Sequence, residues 1–132
     1  MNLQDLLKVP YVSNGRTTDG ADCYGLVRLA RHHLFGKSLM PLYLNVDGSD
    51  KKQLTKAMLR ESINYQIVKP APGAIACAYR GMLCGHIAIC VDIDGKLMIL
   101  ETDEPGRGNE GARLTHLKQF ENRFYKVVYY ND

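Results

Sequence analysis

The chain has 132 residues, the size of one ordinary domain and enough to bury a core without disulfide or metal staples. With 17 Lys and Arg against 14 Asp and Glu, the formal charge is +3, too mild and too scattered for a nucleic-acid binder. Hydrophobic residues at 45% and charged residues at 23% exclude disordered and collagen-like chains; four cysteines are too few for a disulfide scaffold, and without paired C-x-x-C knuckles they argue against a structural zinc site.

No stretch approaches the ~18 apolar residues of a membrane span. The N-terminal run Met1 to Tyr11 lacks the basic start and apolar core of a secretory signal. The expectation is a protein made in the cytoplasm without a signal peptide, as a single domain over residues 1–132.

In chain order, Asn2 to Leu7 has the pattern of one or two helical turns, and Val9 to Asp22 reads as a polar, glycine-containing loop. A long helix follows. Asp22 suits its N-cap, Cys23, Leu26, Val27, Ala30 and Leu34 share one face, and Gly36 suits its end. A second helix is expected from Ser49 or Asp50, where Asp50 and Gln53 have capping-box spacing, with Leu54, Ala57 and Met58 as its apolar stripe.

Beyond Pro70 and Pro72 the period changes to two. Strands are expected over 74–79, 86–92, 96–102 and 125–130, with Asp94-Gly95 as a hairpin turn and 104–113 as a loop. Helical patterns first and strand patterns second predict an α+β fold, a central antiparallel sheet with helices packed on one face.

Three residues carry possible chemistry. Cys23 falls in the first turn of the long helix, where unpaired N–H groups and the helix dipole favour an anion; it is equally the first residue of that helix's buried stripe. His86 opens the strand Ile87 to Val91 and shares parity with Ala88 and Cys90. Those small neighbours would let a helix approach, so His86 would reach a thiol as general base; the alternative is a core-edge histidine bonded to backbone. Glu101 closes the next strand and would accept the imidazole N–H and fix its tautomer, or stand as an exposed strand-end charge. Asp103 is a further possible orienter, whereas Asp92 lies too far along the strand. Cys84, His86 and Cys90 suggest zinc, but no fourth ligand stands out. Cys77 and Cys84 would face each other across adjacent strands; a cytoplasmic origin argues against a disulfide. No metal or cofactor is expected.

The segment Val9-Pro10-Tyr11 through Asp22-Cys23-Tyr24-Gly25-Leu26-Val27, followed by Pro72-Gly73 and His86-Ile87-Ala88-Ile89, resembles the NlpC/p-sixty family of papain-like cysteine peptidases, which cut peptidoglycan stem peptides. Val27-Arg28-Leu29 and Arg123-Phe124-Tyr125-Lys126-Val127 resemble its phage-tail branch. The resemblance spans about Leu7 to Tyr130. It implies a papain-like fold with the catalytic Cys23 at the N-terminus of the long helix, and His86 as base. Glu101 stands where the family usually has His. It further implies that Tyr11 places its hydroxyl near the oxyanion and that Asp22 lines the approach and contacts the amine of the stem peptide. The implied reaction is hydrolysis of the amide between D-Glu and a diamino acid, with the peptidoglycan stem peptide as substrate and other phage tail proteins as partners. A catalytically weak tail-tip assembly protein with the same fold, or a thiol amidase or acyltransferase with another substrate, are the alternatives.

Overall fold

The computed structural model describes residues 1–44, 46, 50–104 and 111–132. Helix α1 (Leu3–Leu7) is closed by reciprocal hydrogen bonds between Asn2 and Asp5. The loop after it contains a hairpin, β1 (Arg16–Thr17) with β2 (Gly20–Ala21), which the sequence pattern does not announce. Helix α2 (Cys23–Phe35) has the expected limits. Asp22 Oδ1 accepts from the Gly25 N–H, and Gly36 ends the helix in the left-handed region.

Helix α3 (Lys51–Glu61) starts after Asp50, whose carboxylate accepts from the Gln53 N–H, and a 3-10 turn (Ser62–Asn64) follows. Ser49, the alternative start, lies outside the described residues. The remaining elements are β3 (Gln66–Val68), β4 (Ile75–Arg80), β5 (Leu83–Ile93), β6 (Lys96–Glu101), β7 (Arg113–His116), α4 (Leu117–Asn122) and β8 (Lys126–Asn131). The fold is α+β. Its six-stranded sheet is antiparallel throughout, in the order β3-β8-β4-β5-β6-β7.

The four expected strands correspond to β4, β5, β6 and β8. Asp94 and Gly95 both adopt positive φ, at 52° and 84°, as a two-residue hairpin between twisted strands requires. The loop expected over 104–113 lies mostly outside the described residues, and its last residue, Arg113, belongs to β7.

The expectation of helices on one face is corrected: both faces of the sheet are covered. Helices α2 and α3 pack on β5, and Leu26, Val27 and Leu54 join Ile75, Ile87 and Ile89 in the larger core. On the other face Phe120 of α4 packs among Ala74, Ala76, Ala78, Ala88 and Cys90. Both parities of β4 and β5 are apolar, so both sides need cover, and the small residues make room for an aromatic ring. Among the described residues, no helix is long and apolar enough to cross a membrane.

Candidate active site

The start of α2 is fixed by charge and close packing. Asp22 is buried and both its oxygens are engaged: Oδ1 caps Gly25, and Oδ2 lies 2.6 Å from Arg16 Nη1. That contact is an ion pair without an aligned N–H, because Nη1 donates to the Gly15 carbonyl. Arg16 Nε and Nη2 donate to the carbonyls of Leu42 and Val46, tying these two residues to the helix start. A Cβ at Gly25 would collide with the Gly15 carbonyl oxygen, which explains glycine two residues after Cys23. Asp22, which the resemblance implies for contact with a substrate amine, is buried, with its oxygens turned to Gly25 and Arg16.

Cys23 is the first residue of α2 and is buried. Burial, then the Asp22 charge, push its thiol up to about 12, against the lowering pull of the Ile87 amide and Lys51. Tyr11 pairs with Ala21 in an isolated bridge that brings it beside this turn. Burial raises its phenol well above the usual value, followed by the charges of Cys23, Glu104, Asp22 and Asp103, so it remains a hydroxyl donor.

His86 lies on β5 opposite Ala78, with its side chain on the α4 side of the sheet. Its ring stacks on Phe124 at 6.0 Å between centroids and meets Phe120 at the same separation. Nε2 donates to Glu101 Oε1 at 2.9 Å. An ionised carboxylate only accepts, so the Nε2 proton is fixed by this bond and Nδ1 carries the lone pair of the neutral ring.

Glu101 is fully buried and accepts further hydrogen bonds from Thr115 Oγ1 and from both terminal nitrogens of Arg123; Arg113 Nε lies 3.5 Å away. Burial alone would raise its carboxyl, but the bonds from His86, Arg123 and Thr115 outweigh burial and hold it well below the usual carboxylate range. Glu101 is thus a buried hub and not an exposed strand end.

The sequence expectation that the small-residue face of β5 receives the Cys23 helix is corrected. Phe120 of α4 fills that face, whereas α2 packs on the side of Ile87, Ile89 and Val91. Among the described residues no hydrogen bond joins the Cys23 thiol to His86. A cavity of about 250 Å³ opens beside the imidazole, walled by Lys51, Arg80, Leu83, Gly85, His86, Asp103 and Phe124. Cys23 is not among its walls. Of these residues the sequence points to His86 and Asp103 as chemical groups, and Phe124 falls in the segment that carries the phage-tail resemblance. Lys51 lies on α3, Arg80 on β4 and Phe124 in the turn between α4 and β8, so no local motif links the three.

A bulge at Gly85 decides the fate of the other cysteines. Ala78 pairs with His86 and Tyr79 with Cys84, so β5 advances two residues for one on β4. Cys84 therefore turns to the α2 side with Cys77, away from His86, although the two are i, i+2. Cys77 and Cys84 are free, fully buried and hydrogen-bonded to each other. Among the described residues no three His, Cys, Asp or Glu side chains form a group able to hold a metal.

Comparison with family models, curated proteins and solved structures returned no match.

Proposed function

We propose that this chain is a thiol hydrolase with a papain-like arrangement of NlpC/p-sixty type. It would cleave the amide between D-Glu and the diamino acid of peptidoglycan stem peptides, as a phage-tail-associated protein. The observation that carries this reading is the buried His86–Glu101 pair at 2.9 Å, together with Cys23 on the first turn of a capped helix within the motif that carries the resemblance. In the proposed reaction Cys23 Sγ attacks the carbonyl carbon and the thiol proton passes to His86 Nδ1, a transfer that requires the thiol on the α2 side of β5 and the imidazole on its α4 side to come together with substrate bound. The Tyr11 hydroxyl and first-turn N–H groups stabilise the oxyanion. His86 then passes the proton to the departing amine, leaving a thioester on Cys23, which water hydrolyses with His86 again as base.

A thiol held at about 12 fits attack assisted by the base at the moment of reaction, not a standing thiolate–imidazolium pair. The same raised thiol favours a second reading, an assembly component of a phage tail tip that keeps a peptidase-like fold with a silent cysteine.

The test is digestion of purified peptidoglycan with mass spectrometry of released fragments. Wild type should release fragments with new amines at the diamino acid, and Cys23→Ala and His86→Ala should release none. An undiminished rate in Cys23→Ala overturns the hydrolase reading. Intact sacculi from several envelope chemistries, with a normally folded wild type, leave the assembly role.

A further inference from the structure

The cavity beside His86 has a charge pattern that neither the resemblance motif nor the reaction above uses. Its walls bring Lys51 from the first turn of α3 and Arg80 from the end of β4 against one carboxylate, Asp103. Asp103 is partly engaged, since its Oδ1 accepts from the Glu104 N–H. Lys51 adds positive charge felt as far as Cys23 and Cys84.

Arg80 is held without a counter-ion. Its guanidinium lies over the Phe124 ring at 4.9 Å, and among the described residues no carboxylate pairs with it. Its aliphatic stem runs over Gly85, where a Cβ would sit 3.6 Å from Cγ and Cδ. Phe124 in turn stacks on the imidazole. The order His86, Phe124, Arg80 therefore sets a cation at a fixed place beside the proposed base. A guanidinium already ordered on an aromatic face keeps its planar fork for a carboxylate and loses little freedom on binding it. The volume, about 250 Å³, is below the roughly 300–1,000 Å³ of drug-sized pockets, so it suits one short charged group.

We propose that this cavity is a carboxylate subsite, in which Arg80, supported by Phe124 and Lys51, receives the free carboxylate of a peptide residue adjoining the scissile amide. The assignment rests on the hydrolase reading for the position of that amide. Asp103 sets its limit, by repelling a second carboxylate.

Calorimetric titration of the Cys23→Ala protein, which binds without turnover, tests it with two probes. One is acetyl-alanyl-γ-glutamyl-lysine amide, whose single free carboxylate is the glutamate α-carboxylate; the other is the same peptide with that group as its α-carboxamide. The free acid should bind at least tenfold more tightly. Adding Arg80→Gln should abolish that preference, Arg80→Lys should keep part of it, and Asp103→Asn should enlarge it. Thermal melts check that each variant folds, and Arg80→Lys carries the test if Arg80→Gln does not. Equal binding of the probes, binding of neither, or a preference that survives Arg80→Gln overturns the subsite. Peptidoglycan hydrolysis with no such preference removes the subsite and leaves the hydrolase. A preference without hydrolysis removes the hydrolase and leaves an acidic-peptide site.

Discussion

At Cys23 a helix start and a buried position pull in opposite directions. First-turn N–H groups favour a thiolate, yet desolvation followed by the Asp22 charge wins and carries the thiol up to about 12. A free thiol titrates near 8.5, so at pH 7.5 Cys23 should react with iodoacetamide roughly a thousandfold more slowly than a small thiol. The rate should rise about tenfold per pH unit through the alkaline range. Asp22→Asn removes a negative charge that opposes the thiolate, so alkylation at fixed pH should accelerate. Mass spectrometry of the Cys23 peptide reads both. A rate that is already flat with pH near neutrality would instead mean a thiolate paired with His86. The same shift carries a stability consequence with a definite sign. The folded thiol keeps its proton beyond the value at which the unfolded one loses it, so this contribution is complete below about 8.5 and is lost as pH rises toward 12.

The element that sets this residue is the N-terminus of α2, held by Asp22 from two sides. Asp22→Asn keeps an acceptor for the Gly25 N–H but leaves the buried Arg16 without its counter-charge. The carbonyls of Gly15, Leu42 and Val46 still receive Arg16, so the loss should fall near or below the low end of the roughly 3–5 kcal/mol for breaking a buried pair. Asp22→Ala also removes the cap, worth about 1 kcal/mol more. Urea midpoints of the two variants separate the effects, and equal midpoints would mean that the cap contributes nothing. This helix was legible in sequence because its cap, apolar stripe and closing glycine agree with one another. The four main strands were legible from period two and the Asp94-Gly95 turn. Edge strand β3, with three residues, and α4, with six, are too short for any period to declare them. That gap explains the main misreading. Alternation along β5 gave the face of His86 correctly, but only α4 determines that Phe120 fills that face and α2 does not. Glu101 was legible as a partner of His86 by strand order. Arg113, Thr115 and Arg123 reach it from beyond the hairpin, where sequence carries no register.

Across the whole molecule, Glu101 is the carboxylate on which separate parts of the chain meet. It sits on β6, receives His86 from β5 and Thr115 from β7, and is gripped by Arg123 at the end of α4. Folding thus gathers donors from across the sheet around one anion, and the folded carboxyl is held well below the usual range despite its burial. The unfolded glutamate takes up its proton near pH 4.3. The stabilisation from this group is therefore present above that value and is lost as pH falls through the range between the unfolded and folded values. Glu101→Gln removes the charge while nearly preserving shape. At pH 7 the variant should be less stable by roughly 2–4 kcal/mol, because His86 and Arg123 lose a charged acceptor but Arg123 remains partly solvated. As pH falls below about 5 the wild-type curve should descend toward that of the variant, since the variant has no carboxyl to protonate at this position. Urea unfolding at intervals from pH 7 to pH 3 measures the gap. A gap that stays constant over that range would mean that Glu101 holds the sheet and α4 together by shape and hydrogen bonding alone, with its charge contributing nothing to the fold.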